Sequence, residues 1–323
     1  MQNRRYPKVY IRSKNEFAKH ISHVGFPRGE SLALINDVLG NFDKYWKDNK
    51  GQSEPEKEKF VRSAKHTPLG RLLDNINKKV LAPHDHLVPE FVFGGIDGTN
   101  HVAAGKHLLG KKRRRVALKM DITRFFEQVS RDRVYWFFHS KCGCDERASR
   151  LLADFSCVPA GPKNSGDSHK TIARGFATSS RLAVWCNLDA FIRLARLVQK
   201  RLKGRDPRLA IYVDDIGITA SRVSKEEMEK LSVEIEDLLN SDPNQRLPIN
   251  TKKTQITSHQ EGIEHLGLKL NRNSLSIGNR TRAKKEKMKN KLKGHLSRED
   301  RLKIKYKHKS LTYYKKYVEN KLK

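Results

Sequence analysis

The chain has 323 residues, including 67 Lys or Arg and 36 Asp or Glu, so its formal net charge is +31. This length is sufficient for a sizeable hydrophobic core and several packed substructures. So large an excess of positive charge is typical of proteins that bind a polyanion. No apolar run of about 18 residues is present to span a bilayer, so we expect no membrane partner. The four cysteines suggest no disulfide framework, which favours a cytoplasmic location.

The first hundred residues contain helical patterns separated by polar segments. Apolar residues recur at helical spacing over residues 17–39, whereas residues 47–58 are polar and predict a surface loop or linker. Thr67 and Pro68 then predict the start of a helix, because proline is favoured at the first helical position. Three cations precede this helix: Lys59, Arg62 and Lys65. They could contact a nucleotide triphosphate or form a solvated charged segment.

Five consecutive cations at residues 111–115 lead into a predicted strand at residues 116–121. Apolar and other side chains alternate along this strand, which ends in Asp121 and is followed by Phe125 and Phe126. A cationic run of this kind is often only solvated surface. Beside a strand that ends in a carboxylate, in a basic protein, we favour a contact with phosphate.

The middle of the chain alternates helices and turns. Residues 131–140 predict a helix, residues 157–170 predict a loop, and residues 182–198 predict a strongly apolar helix. The segment at residues 171–180 contains a glycine and enters that apolar helix.

Residues 209–219 predict a β-hairpin, because two runs rich in Ile and Val flank Asp214 and Asp215. Adjacent carboxylates raise each other's pKa unless a cation neutralises them, and a hard divalent ion with oxygen ligands is the usual partner. An ordinary acidic turn is the alternative. A third carboxylate, Asp121, would complete the set that a two-metal nucleotidyl-transfer site needs.

The last third of the chain becomes markedly basic. Ser224 and Glu227 form a capping-box pattern that predicts a helix, and Asn250 opens the sequence Asn-Thr-Lys-Lys-Thr. Beyond Gly278, lysines and arginines are interleaved with leucines and tyrosines. The apolar residues favour folded helices over a disordered tail, and aromatic rings among cations suit nucleic acid.

Five of these segments resemble the conserved motifs A to E of reverse transcriptases. Residues 121–126 resemble motif A, residues 171–180 resemble motif B and residues 212–215 resemble motif C. Residues 250–254 resemble motif D, and residues 264–270 resemble motif E. The resemblance is to the compact prokaryotic enzymes of the retron, group II intron-like and phage-defence types. Ala104 and His107 match two positions of the Asn-Ala-x-x-His signature of retron enzymes.

The resemblance implies an α+β fold, a right-hand polymerase with three parts. Residues 1–110 would form the fingers and N-terminal helices. Residues 111–264 would form a palm of antiparallel sheet plus helices that carries the catalytic aspartates. Residues 265–323 would form a basic helical thumb.

The resemblance also implies which residues form the catalytic site. Asp121, Asp214, Asp215 and Ile122 would hold two Mg²⁺ ions, with Mn²⁺ as a substitute. The three aspartates would act in catalysis together with Lys253, which would protonate the departing pyrophosphate as a general acid.

A second set of residues is implied to bind substrate: Ile122, Phe126, Arg174, Gly175 and Tyr212. Phe126 would exclude a ribose 2′-hydroxyl and so select dNTPs. The alternative role for Phe126 is packing in the core, and we assign Phe125 to the core. Arg174 would contact the nucleotide, and a surface arginine is its alternative. Gly175 would let the backbone approach the template–primer and the nucleotide closely.

The function implied is RNA-directed DNA synthesis, with cDNA made from a structured non-coding RNA in a retron or anti-phage defence system. Its partners would be an RNA template, a DNA primer and product, and dNTPs; an effector protein could be a further partner. Two alternatives stay open. The same fold could carry out untemplated or protein-primed DNA synthesis, or it could be a catalytically idle RNA-binding scaffold.

Overall fold

The computed structural model describes residues 6–111 and 114–320, which form a mixture of helices and antiparallel sheets. The helices are α1 Lys14–Ile21, α2 Arg28–Asn41, α3 Pro68–Asn75, α4 His101–Leu109, α5 Arg131–Trp136, α6 Glu146–Ser156, α7 Ser179–Arg201, α8 Lys225–Asn240, α9 Asn279–Lys291 and α10 Arg298–Val318. The strands are β1 Lys47–Asp48, β2 Arg62–Ser63, β3 Arg115–Asp121, β4 Cys157–Pro159, β5 Lys170–Ile172, β6 Arg208–Tyr212, β7 Asp215–Ser221, β8 Gln255–Ser258, β9 Ile263–His265, β10 Leu268–Leu270 and β11 Leu275–Ile277. None of the described helices is long and apolar enough to cross a lipid bilayer.

The chain divides into two compact units that alternate along the sequence. The first unit contains the residues up to Gly98, then Ile122–Arg193 and Leu239–Pro248. The second contains Thr99–Asp121, Leu194–Leu238 and the residues from Ile249 onwards. The division into fingers, palm and thumb stays a prediction.

In the first unit, α1, α2, α3 and α6 pack around an apolar core. The ring of Phe17 on α1 stacks on that of Phe155 on α6, with centroids 6.3 Å apart. The predicted start of α3 is confirmed, because Pro68 is its first residue and the Thr67 hydroxyl accepts a hydrogen bond of 3.2 Å from the Gly70 amide. Such a cap satisfies an amide that would otherwise have no partner at the helix start.

Two segments of this unit that we predicted as loops contain short strands. Within residues 47–58, β1 pairs antiparallel with β2. Residues 157–170 begin with β4, which pairs antiparallel with β5 at the end of this segment. These strands are two or three residues long, so they are too short to show the alternation of side chains by which a strand is recognised in a sequence.

The second unit is built on a four-stranded antiparallel sheet with the strand order β6-β7-β3-β8 in the described chain. The inner strand β3 is buried on both faces at Val116, Ala117 and Leu118. Its predicted bounds are correct to one residue. This placement fixes Asp121, the last residue of β3, at one end of the sheet.

A second sheet of this unit has the order β11-β10-β9 and packs against α4 and α10. The predicted capping box at the start of α8 is confirmed. The Ser224 amide donates to the Glu227 carboxylate at 2.9 Å, and the Glu227 amide donates to the Ser224 hydroxyl at 3.2 Å. The basic segment beyond Gly278 folds as α9 and α10, as predicted.

Candidate active site

The hairpin that carries two of the aspartates has a two-residue turn. Tyr212 at the end of β6 pairs with Asp215 at the start of β7, so Val213 and Asp214 form the turn. We predicted the break at Asp214 and Asp215, one residue later. Val213 has φ 58°, which two-residue hairpin turns require but β-branched residues seldom adopt. Such backbone strain costs on the order of 1–3 kcal/mol and is held here by strand pairing on both sides.

The third aspartate lies directly across from this hairpin. In the antiparallel register of β3 and β7, Asp121 is the partner of Asp215. Residues directly opposite each other in such a pair have Cβ atoms about 4.5–5.5 Å apart. The structure therefore brings Asp121, Asp214 and Asp215 together at one end of the sheet, as the sequence led us to expect.

The acidic cluster perturbs its own proton affinity. The pKa of Asp215 is raised to about 6, first by burial and then by the charge of Asp214, with a smaller contribution from Asp121. Lys119 and Lys253 act in the opposite direction. A carboxyl group in this position holds its proton more tightly than one in water, and a nearby cation would release it.

Lys253 already supplies one positive charge to the cluster. It ends a 3-10 turn, Thr251–Lys253, which begins beside β3 because the Asn250 amide donates to the Asp121 carbonyl at 2.8 Å. The Lys253 ammonium lies 3.0 and 3.1 Å from the two carboxylate oxygens of Asp121. Of the two lysines in this segment, the spacing in the sequence favours Lys253 over Lys252 as the general acid.

The cluster has the chemistry that a divalent ion prefers, although no metal geometry is preformed. Within residues 6–111 and 114–320, no group of three His, Cys, Asp or Glu side chains is arranged to hold a metal ion. Two observations nonetheless fit Mg²⁺: the donors are carboxylate oxygens, and burial together with their repulsion raises the pKa of Asp215. The ammonium of Lys253 shows that Asp121 attracts a cation.

Tyr212 has ring neighbours that sequence reasoning missed. The His101 ring of α4 meets the Tyr212 ring edge-on, with centroids 6.2 Å apart, and stacks on Tyr314 of α10 at 5.8 Å. The His101 Nε2 atom and the Tyr314 hydroxyl are 2.7 Å apart. No spacing in the sequence links residues 101, 212 and 314, so only the fold could reveal this contact.

Ile122, Phe126, Arg174 and Gly175 belong to the first unit. Ile122 has a buried side chain, so it could offer a metal only its main-chain carbonyl. The Arg174 guanidinium lies 4.9 Å from the Phe126 ring centroid and 3.2 Å from the Glu127 carboxylate. Phe126 is partly exposed, whereas Phe125 is buried as predicted. Phe126 and Arg174 therefore lie in contact with each other, and their roles at a nucleotide stay predictions.

We predicted that Gly175 lets the backbone approach the template–primer and the nucleotide closely. In the structure, Gly175 lets the backbone approach that of Arg62. Its φ is 101°, and a Cβ atom there would lie 2.4 Å from the Arg62 carbonyl oxygen. The Arg62 amide donates to the Arg174 carbonyl at 2.7 Å. The glycine thus allows β2 to pass next to the turn before α7.

Arg62, for which a triphosphate contact and a solvated position were both left open, and Arg115, for which we favoured a phosphate contact, are both buried in ion pairs. Arg62 is buried and pairs with Asp48 at 2.8 Å, and Arg115 is buried and pairs with Asp206 at 2.7 Å. Their charges are already neutralised inside the protein. Lys112 and Arg113, in the same predicted basic run, lie outside the described residues.

Comparison with known proteins agrees with this geometry. The family model described as reverse transcriptase (RNA-dependent DNA polymerase) matches residues 55–270, which include Asp121, the hairpin aspartates and Lys253. The chain is also 28% identical over 206 residues to the retron Ec48 reverse transcriptase of Escherichia coli. That match covers 59% of this chain and 44% of the relative, so the chain spans less than half of the relative's length. Because the family model covers two thirds of the sequence, this protein belongs to the reverse transcriptase family.

Proposed function

We propose that the protein is an RNA-directed DNA polymerase that makes cDNA from a structured non-coding RNA, in a retron or anti-phage defence system. The observation that carries the proposal is the pairing of Asp121 with Asp215, beside Asp214, in a chain of this family. The retron assignment is supported by the similarity to a retron reverse transcriptase. The net charge of +31 suits an RNA template and a DNA primer or product.

Asp121 and Asp214, with the main-chain carbonyl of Ile122, would hold two Mg²⁺ ions, and Asp215 would lie beside them. When bound, the ions would lower the pKa of the primer 3′-hydroxyl and neutralise charge on the departing pyrophosphate. The strained turn at Val213 and the paired strands hold the carboxylates in place before substrate arrives. Such positioning is the main contribution that a protein makes to phosphoryl transfer.

Lys253 would change partner during the reaction. In the free protein its ammonium pairs with Asp121. Cations that bind the carboxylate oxygens would displace it, and the ammonium could then protonate the leaving pyrophosphate as a general acid. Its side chain is about half exposed, which leaves it free to move.

Phe126 and Arg174 would select the nucleotide. The guanidinium packed against the Phe126 ring limits the movement of that ring. A fixed ring beside the sugar would exclude a 2′-hydroxyl and admit dNTPs. Arg174 would at the same time offer its remaining hydrogen-bond donors to the nucleotide.

The proposal is tested by replacing Asp214 with asparagine, which keeps the size of the side chain and removes its charge. Primer extension on an RNA template should fall about a thousandfold, because several kcal/mol of charge stabilisation is lost. The matched control is Asp237→Asn, an exposed aspartate on α8, which should extend normally. Full extension by Asp214→Asn, with unchanged circular dichroism, would refute the assignment.

Sequencing the DNA made by the purified protein, with and without its co-purified RNA, separates the alternatives. A defined cDNA supports the retron-like enzyme. Homopolymer or random product supports untemplated or protein-primed synthesis, and no product supports an idle scaffold.

A further inference from the structure

A second cleft lies in the first unit, among α5, the start of α7 and the loop before Pro248. Its volume is about 790 Å³, within the range of sites that hold a nucleotide-sized ligand. We name it the Trp136 cleft, after the most exposed of the aromatic side chains that line it, and its lining includes Tyr6, Arg133, Trp136, Trp185, Gln245 and Arg246. Neither the catalytic aspartates nor Lys253 belong to this lining.

The cleft presents aromatic surface to solvent. Trp136 is 56% exposed, which is unusual for the largest apolar side chain. Behind it, Tyr6 lies 6.2 Å from Trp185 and 6.4 Å from Phe137, measured between ring centroids. A planar ligand entering the cleft would therefore meet the exposed indole of Trp136, which also contacts the Tyr135 and His139 rings, and the aromatic side chains that line the cleft with it.

The cleft also contains buried polar atoms that lack partners. Among the described residues, nothing hydrogen-bonds to the Trp185 Nε1, Arg133 Nε or Gln245 Oε1 atoms. Trp185 is completely buried, and an unpaired N–H in such a position costs free energy comparable to a lost hydrogen bond.

The charge of the cleft favours an anionic ligand. The acidic side chains in its lining already have basic partners, since Glu127 pairs with Arg174 and Asp132 lies 3.5 Å from Arg131. Arg133 donates only to neutral groups, the carbonyls of Gln128 and Cys186 and the amide of Asn187. Among the described residues no carboxylate hydrogen-bonds to its guanidinium, although the charge of Asp242 acts on it, and the exposed Arg246 adds a second cation.

We propose that the Trp136 cleft binds an unstacked nucleobase of an RNA strand together with its adjoining phosphate. The base would stack on Trp136. Arg246 and Arg133 would attract the phosphate. Other proteins bind single-stranded nucleic acids through the same combination of aromatic side chains and cations. This inference goes beyond the polymerase reaction and does not depend on it.

Tryptophan fluorescence tests the proposal, because Trp136 is exposed whereas Trp46 and Trp185 are buried. Quenching by an added base reports on the cleft, which is lined by Trp136 and Trp185, and its loss in Trp136→Ala assigns it to Trp136. The probes are the tetraribonucleotide rA4 and AMP, each titrated into the full chain. With rA4 we expect strong quenching that disappears in Trp136→Ala. The anisotropy of fluorescently labelled rA4 should show an affinity lowered about tenfold in that variant, as for loss of one base stack. Trp136→Phe should keep most of the affinity, since it keeps a ring.

The matched control is Tyr10→Ala, because Tyr10 is an equally exposed aromatic residue of the same unit outside the cleft. It should bind rA4 as the unsubstituted chain does. Arg246→Gln should reduce the slope of log affinity against log salt by about 0.7, the value for one phosphate contact on a single strand. Primer extension on a standard template should be unchanged in Trp136→Ala, so failure here is distinguishable from failure of the polymerase assignment.

Three results would count against the proposal. Equal affinity of rA4 for Trp136→Ala and the unsubstituted chain would overturn it, as would the absence of quenching by either probe. AMP binding as tightly as rA4 would overturn RNA as the source of the base and identify a free nucleotide instead.

Discussion

At the scale of single residues, the clustered carboxylates of Asp121, Asp214 and Asp215 are placed at a cost to stability. The pKa of Asp215 is raised to about 6, mainly by burial and by Asp214. An Asp in an unfolded chain has a pKa near 3.9. Between these two values the folded protein holds a proton that the unfolded chain has lost. Folding is therefore favoured at low pH, and stability declines as pH rises through about 6.

Replacing Asp215 with asparagine should thus stabilise the protein above pH 6, because the neutral amide avoids the burial and repulsion of the charge. The gain at pH 8 should be up to about 3 kcal/mol, and little gain should remain below pH 4. Urea unfolding at several pH values measures it. Asp237→Asn on the exposed face of α8 should show no such pH-dependent gain. Equal stabilities of Asp215→Asn and the unsubstituted chain at pH 8 would contradict the raised pKa.

For single residues, the sequence predicts which chemical groups are important better than it predicts which residues they contact. Asp121 and Asp215 could be expected to meet, because Asp121 is the last residue of one recognisable strand and Asp215 is the first residue of another. The positive φ of Val213 could not, since β-branched residues normally avoid it. Arg62 and Arg115 look like phosphate ligands until the fold supplies Asp48 and Asp206, whose positions in the sequence give no hint of the pairing.

At the scale of elements, α10 is attached to α4 by hydrogen bonds between side chains. Tyr314 contacts His101 at 2.7 Å, Asn100 donates to the Tyr317 hydroxyl at 3.0 Å, and Lys106 donates to Asn320 at 2.8 Å. The His101 ring also contacts the ring of Tyr212 on β6. Sequence reasoning predicted a helix here but not its docking site, because helix amphipathicity identifies an apolar face and not its partner.

Removing one hydroxyl from this attachment should loosen the helix. Tyr314→Phe loses the hydrogen bond to His101, worth about 1 kcal/mol, so amide hydrogen exchange along α10 should accelerate about fivefold. Tyr313→Phe is the matched control, since it removes a neighbouring hydroxyl from a side chain that is 52% exposed. If both variants exchange alike, the His101–Tyr314 contact does not hold α10 in place.

At the scale of the whole molecule, the net charge of +31 predicts RNA binding but not where the phosphates lie. Not every cation is available to RNA, because Arg62, Arg115 and Arg181 are buried in ion pairs. Much of the exposed charge is on α9, whose residues Lys284, Lys287 and Lys291 lie at helical spacing and are exposed. The charge that matters for RNA should therefore be local and not spread over the surface.

Replacing Lys284, Lys287 and Lys291 together with glutamine tests this distribution. If each contacts one phosphate of a single-stranded RNA, the slope of log affinity against log salt should become shallower by about 2. The control variant has glutamine at the exposed Lys200, Lys203 and Lys230, which lie outside α9, so its net charge changes by the same amount. The slope of log affinity against log salt should stay unchanged in this control. Equal losses in the two variants would mean that total charge, and not α9, governs binding. An altered slope only in the α9 variant identifies that helix as part of the path that the RNA backbone follows.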